Sequence, residues 1–221
     1  AQWMDDLVNG RLGNHEKVSV MYLTGFYDPD FNPDITDDVE PSCVKVEGAV
    51  DLEDEKGFKL ELEAGKLAGR PGDPSIVGYD FEGWYSLGFK ADGSAFYEPF
   101  NFSQTPVSGD MILIAKYSAK SFDIEIICGD DESYHVSLKH NEIPASKLPD
   151  EVKAPHGTKV FAGLFADDKF KYPVDLNEPY KMACDYTVFA KYDDYAEDGA
   201  FVSAYSYDGD YNAYMFKFIK S

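Results

Sequence analysis

The sequence has little cysteine, little histidine and few positive charges. Its three cysteines, Cys43, Cys128 and Cys184, form no CxxC pair, and no histidine cluster lies near them. That excludes the ligand spacing of a structural zinc site, and an odd count argues against a disulfide framework. Sparse cysteine suits a cytosolic protein, and equally an exported one that relies on cores instead of bridges. The four histidines, His15, His135, His140 and His156, lie in polar contexts with no nucleophile motif around them. GxSxG, P-loop, HExxH and dinucleotide fingerprints are all missing, so the chain reads as a non-enzyme. No run approaches the ~18 apolar residues that a membrane helix needs, and no membrane insertion is expected. The opening stretch AQWMDDLVNG has no basic segment followed by an apolar one. If the chain has a secretion signal, it is already removed or belongs to a longer parent.

Acidic residues dominate: 41 Asp and Glu stand against 20 Lys and Arg, a formal charge of −21 in 221 residues. Such a field repels phosphate backbones, so nucleic acid is not an expected partner. Self-repulsion that keeps the chain soluble accounts for it, with cation binding as the functional alternative. The 16 tyrosines and 16 phenylalanines separate this chain from acidic disordered tails, which are poor in aromatics.

One eight-residue pattern occurs twice. DMILIAKY (Asp110 to Tyr117) returns as DYTVFAKY (Asp185 to Tyr192), about 75 residues later. Upstream, YDFEGWYS (Tyr79 to Ser86) meets KVFAGLFA (Lys159 to Ala166), with Phe81 on Phe161 and Gly83 on Gly163. Earlier still, Phe58, Leu60 and Leu62 alternate as Tyr134, Val136 and Leu138 do, followed by turn residues Gly65 and Asn141. Period two marks a strand with one buried face. The runs CVKVEGAVDL and SFDIEIICG are taken as the matching first strands. Helical periodicity is missing, apart from a single turn expected in ASKLPDEV. Self-similarity at this spacing is too long for a solenoid and fits a tandem array of small domains.

The stretch GYDFEGWYSL…FNFSQTPVSGDMILIAKY resembles the Listeria–Bacteroides repeat, the internalin-type B-repeat of bacterial surface proteins. The stations that carry it are Gly78, Tyr79, Phe81, Gly83, Trp84, Tyr85, Phe102, Pro106, Val107, Leu113, Ala115 and Tyr117, with Gly65, Pro71 and Pro74 before them. Tyr117 replaces the usual closing Trp. In the second copy Leu164 stands for the expected Trp, the Gly-Tyr pair is missing, and Tyr180-Lys181 replaces the Val after Pro179. The resemblance implies small β-grasp-like modules on an extracellular or cell-surface bacterial protein, serving as spacers or adhesive elements. A host or cell-surface protein or a glycan is the implied partner, and a monomeric fragment of a longer chain the implied state.

The expected architecture is therefore mostly β, with two tandem β-grasp-like modules at residues 43–118 and 121–194. Residues 1–42 form a separate N-terminal segment, a cap or a degenerate repeat, with a strand at Val18, Val20 and Tyr22 and a short helix in QWMDDLVNGRL. Residues 195–221 form a hairpin about Asp208-Gly209, a cap or the start of a further module, with Tyr214, Phe216 and Phe218 facing one way. Phe81, Trp84 and Tyr85 are expected in the core, Gly83 letting a neighbouring chain come close. Lys116 and Lys191 are expected at strand ends as edge protection.

Two candidate sites stand apart from core duty. Trp84, Tyr85, Phe96 and Tyr97 on one flat face would make a carbohydrate-stacking platform, the mark of a carbohydrate-binding module attached to a larger extracellular enzyme. Asp28, Asp30, Asn32, Asp34 and Asp37 in YDPDFNPDITDD place oxygens at alternate positions, as a calcium loop does. Against calcium, Pro33 takes the place where an EF-hand needs Gly, and an acidic Asx/Pro turn explains the same residues. No cofactor is otherwise expected.

Overall fold

The computed structural model describes residues 17–35, 40–194, 201–205 and 213–217, the last two stretches as backbone only. It is mostly β. Two compact units meet between Ala119 and Lys120. The first holds β1 (Lys17–Leu23), β2 (Val50–Asp51), β3 (Gly57–Glu63), β4 (Lys66–Leu67), β5 (Tyr79–Phe89), β6 (Ala95–Pro99), β7 (Pro106–Val107) and β8 (Met111–Ala119). The second holds β9 (Ser121–Gly129), β10 (Glu132–Lys139), β11 (Lys159–Phe165) and β12 (Tyr186–Asp194), then the hairpin strands β13 (Phe201–Tyr205) and β14 (Ala213–Lys217).

The two main sheets follow one plan. The first has the order β2-β3-β1-β8-β5-β6, the second β10-β9-β12-β11. In each, the opening strand pairs antiparallel with the next and parallel with the last (β1 with β3 and β8, β9 with β10 and β12). The last strand then pairs antiparallel with β5 or β11. Strands flanked on both sides are buried, which is why MILIAKY and SFDIEII carry so many β-branched and apolar residues.

The twice-written pattern is this last strand, and its letters do the same work in both units. The Asp110 carboxylate accepts the Ser19 amide at 2.7 Å, and that of Asp185 accepts the Asp123 amide at 2.8 Å. Each carboxylate thereby latches the start of the last strand to the first. Ala115 and Ala190 are each buried in their unit's core. The hydroxyls of Tyr117 and Tyr192 both donate to backbone carbonyls, of Thr24 and Val152, at 2.8 Å. Their rings lie edge-on to Phe81 and Phe161, each at 6.0 Å.

The glycines coincide too. Gly83 and Gly163 sit at register shifts with φ of 141° and 142°. A side chain there would meet only one ring carbon at 3.7 or 3.9 Å, so backbone conformation, and not the close approach expected from sequence, selects glycine. Gly65 and Asn141 share a positive φ, 85° and 65°, and their amides donate to the equivalent carbonyls of Val107 and Tyr180 at 2.7 Å.

Each core lies on one face of its sheet. In the first unit Tyr22 is central, stacked on Phe58 at 4.9 Å and edge-on to Trp84 at 5.7 Å, its hydroxyl donating to the Gly69 carbonyl at 2.8 Å. Burial pushes this phenol up to about 12. In the second unit Ile124, Ile126, Leu164 and Val188 are closed over by Leu148 and by Val152, the latter from the expected helical turn, here Asp150–Lys153.

Two expectations are corrected. Lys17–Leu23 was set apart from a first module starting at Cys43, yet β1 lies in the interior of that unit's sheet, between β3 and β8. The run Cys43 to Leu52 supplies only β2 beside β3. An insertion, residues 24–56, separates β1 from its hairpin partner, whereas β9 reaches β10 across Asp130-Asp131, so the β-branched run nearest to β3 in sequence is not the counterpart of β9. The lysines Lys116 and Lys191 stand on strands interior to their sheets, each just past the end of the parallel register at Ile114 or Phe189, where its strand pairs only with β5 or β11. The expected N-terminal helix, Asp37, the Asp208-Gly209 turn and the side chains of the final hairpin lie outside the described residues. The backbone pairing of β13 with β14, Phe201 opposite Lys217 through Tyr205 opposite Ala213, is described.

Candidate functional site: the second face of each sheet

A sheet with one core has a second face, and the two units treat theirs differently. In the first unit that face carries Leu23, Ile112 and Ile114, all buried. The insertion after β1 folds back to cover them. Thr24 anchors its start, through both its amide and hydroxyl, to the Lys56 carbonyl at 2.8 and 3.0 Å. Asp28 then builds a turn: its carboxylate accepts the Asp30 amide at 3.0 Å, and its carbonyl accepts the amides of Phe31 and Asn32.

Asn32 locks the cover. Its side chain is buried, donating to the carbonyls of Phe26 at 3.0 Å and Ala115 at 2.9 Å and accepting the Tyr117 amide at 3.0 Å. It thus plays the part of a neighbouring strand where β8 outruns β1. Phe31 drops onto the face, stacked on Tyr97 at 3.8 Å and edge-on to Tyr85 at 5.2 Å. The Lys116 ammonium lies 5.3 Å from both the Phe31 and Tyr85 ring centres and 3.5 Å from Glu82. The Tyr97 hydroxyl donates to the Asp28 carboxylate; desolvation first, then this bond, holds that phenol well above its ordinary range.

The sequence-derived candidates fall as follows. Trp84 points into the core, 4% exposed, on the opposite face from Tyr85. Phe96 lies across from Gly88, and Tyr97 across from Leu87. Tyr85 and Tyr97 share a face but Phe31 fills the space against them, so the four rings present no common flat surface. In the acidic loop, Asp28 and Asn32 are engaged as described, Asp30 is exposed, and the Asp34 carbonyl accepts the Tyr79 hydroxyl at 3.5 Å. Among the described residues no three His, Cys, Asp or Glu side chains converge as metal ligands. The cysteines are free; burial raises the thiols of Cys43 and Cys128 above their ordinary range.

In the second unit the same face is rewritten. The two latches and the parallel registers set Asp123 where the first unit has Ser19, Glu125 for Met21, Ile127 for Leu23, Thr187 for Ile112 and Phe189 for Ile114. His135 lies opposite Glu125, as Lys59 lies opposite Met21. Because β9 turns directly into β10, no insertion is present to fold back. What results is an open cleft of about 540 Å³ lined by Asp123, Glu125, His135, Asp185, Thr187 and Phe189, among others.

Its polar groups are ordered by one another. His135 Nδ1 lies 2.7 Å from the Asp123 carboxylate, and the Thr187 hydroxyl donates to Glu125 at 3.3 Å. The hydrogen bond from Asp123, then its charge, raises the His135 imidazole above its usual range. The aromatic floor is part-covered: Phe165 packs edge-on to Phe170 at 5.5 Å, and the Lys191 ammonium lies 6.0 Å from its ring centre while bound to Asp193. A cleft of three carboxylates beside an aromatic ring offers acceptors and stacking to a donor-rich, cationic group. None of these cleft residues stood out from sequence. Asp123 and Glu125 would have, once β9 was laid on β1, as charges at positions that are neutral or apolar in the first copy.

No protein-family model, no curated protein and no solved structure matches this chain.

Proposed function

We propose that the chain is a non-catalytic pair of tandem repeat modules from a bacterial cell-surface or secreted protein, β-grasp-like in plan, acting as a spacer with adhesive capacity. The observation that carries this reading is the repetition of one mixed sheet, with its latching aspartate, bulged glycine and closing tyrosine in both units. Duplication that preserves a core while its surfaces diverge fits a modular stalk. The resemblance of Gly78 to Tyr117 to the Listeria–Bacteroides repeat points the same way. Stretching the whole chain between its ends is the test. A spacer of two modules gives two separate unfolding steps, and a single step refutes it. The carbohydrate-platform reading draws less support, since Trp84 is buried and Phe31 occupies the space against Tyr85 and Tyr97.

A further inference from the structure

We infer that the second face of the second unit's sheet is a docking site for an extended, basic peptide segment bearing an aromatic residue. The inference rests on the adhesive part of the function proposed above and names its partner class.

The first unit supplies the pattern of occupancy. There the same face is covered by chain, with the Phe31 ring set against Tyr85 and Tyr97 and a cation over both Phe31 and Tyr85. In the second unit the apolar floor persists as Ile127 and Phe189, beside a Phe165 already covered in part by Phe170, but among the described residues the direct β9–β10 turn supplies no such cover. What changed around that floor is charge. Asp123 and Glu125 replace neutral positions, and with Asp185 they face one imidazole. Lys191, two residues beyond Phe189 on β12, is committed to Asp193 at 3.1 Å. An apolar floor rimmed by carboxylates complements a ring flanked by lysine or arginine, and the chain's net charge of −21 steers such a segment inward. An acidic segment would meet like charge at this rim, and an uncharged one would gain no charge pair from it.

The test is an amide chemical-shift titration of the full chain with Ac-Lys-Phe-Lys-Phe-Lys-NH2, using Ac-Glu-Phe-Glu-Phe-Glu-NH2 as comparison. Saturable shifts centred on Glu125, Thr187 and Phe189, with the basic peptide only, are the expected result. Asp123→Asn with Glu125→Gln should weaken binding about fivefold, as two solvent-facing charge pairs are lost. Glu47→Gln with Glu63→Gln, an equal loss of charge in the first unit, should leave it unchanged. Both pairs keep the backbone latches, since Asp185 accepts an amide that Asp123→Asn retains, and the amide spectrum itself reports folding. Unsaturable binding, equal weakening by both pairs, or equal binding of the acidic peptide overturns the inference, and so does self-association that grows with protein concentration and displaces the peptide. Failure here leaves the two-step extension behaviour untouched, so the spacer reading stands or falls separately.

Discussion

Replacing Asn32 tests whether one buried amide holds the cover of the first unit in place. Asn32→Ala removes three hydrogen bonds. The Phe26 carbonyl lies in a half-buried loop, and water can replace its partner. The Ala115 carbonyl and Tyr117 amide belong to residues only 0% and 2% exposed, and they are stranded. A buried backbone group left without a partner costs about 1–3 kcal/mol, so the pair should cost about 2–6 kcal/mol. Set against a total stability of about 5–15 kcal/mol for a domain, that is a large share. Both tryptophans, Trp3 and Trp84, fall before Ala119, and Trp84 is in the first core, so fluorescence in urea follows this unit while circular dichroism follows both. With a slope of about 2 kcal/mol per molar urea, the fluorescence midpoint should fall by roughly 1–3 M. Asn32→Asp sharpens the test. It keeps the acceptor for Tyr117 but sets a carboxylate against two carbonyls, which raises its pKa in the folded state. The folded protein then binds the proton more tightly, so the variant should be less stable at pH 7 than near pH 4. A midpoint shift under about 0.3 M for Asn32→Ala, or a loss confined to the second unit, refutes the reasoning.

Other consequences are open to measurement. Gly83→Ala and Gly163→Ala should each cost about 1–3 kcal/mol, each in its own unit's urea transition, because space is available and only the backbone conformation resists; a neutral result in both would remove the case for strained bulges. Gly65→Asn should change stability by less than about 1 kcal/mol, since Asn141 already serves at the equivalent positive φ; a larger loss would show that the two turns are not interchangeable. Burial holds the Tyr22 and Tyr180 phenols up to about 12, and those of Tyr117 and Tyr192 higher still. The folded chain therefore keeps phenolic protons that the unfolded chain releases near pH 10, and stability should fall as pH rises beyond about 10. Tyrosinate absorbance is expected to rise together with loss of sheet circular dichroism, and smooth ionisation with an intact spectrum would contradict it.

The duplication was legible because its stations are local. Asp110 and Asp185, Gly83 and Gly163, and Tyr117 and Tyr192 sit inside short strands whose side-chain alternation fixes which face each meets. The start of the first unit was not legible, because β1 finds its partners across an insertion and period-two alternation says nothing about distant pairing. Lys116 read as an edge guard for the same reason: sequence shows that a lysine ends an apolar run, not that Phe31 and Tyr85 wait beneath it. Trp84 and Tyr85 illustrate the limit for sites. Adjacent strand residues point to opposite faces, so an aromatic cluster in sequence is divided in space. The cleft of the second unit was hidden in plain alternation, since Asp123 and Glu125 look like the solvated side of any strand until matched to Ser19 and Met21.

The parallel pairing of each unit's opening strand with its closing one has a consequence for how the chain comes into being. During synthesis Val20 can meet β3 early but must wait for Met111, and Ile124 must wait for Tyr186, before either interior is enclosed. Until then a water-averse ribbon stays uncovered along one side, and the longer wait falls on the unit with the insertion. A ribosome that stops anywhere short of the closing strand therefore releases a sticky, unfinished product in place of a smaller working one. Any shortened version of this protein has to be cut between units, never within one.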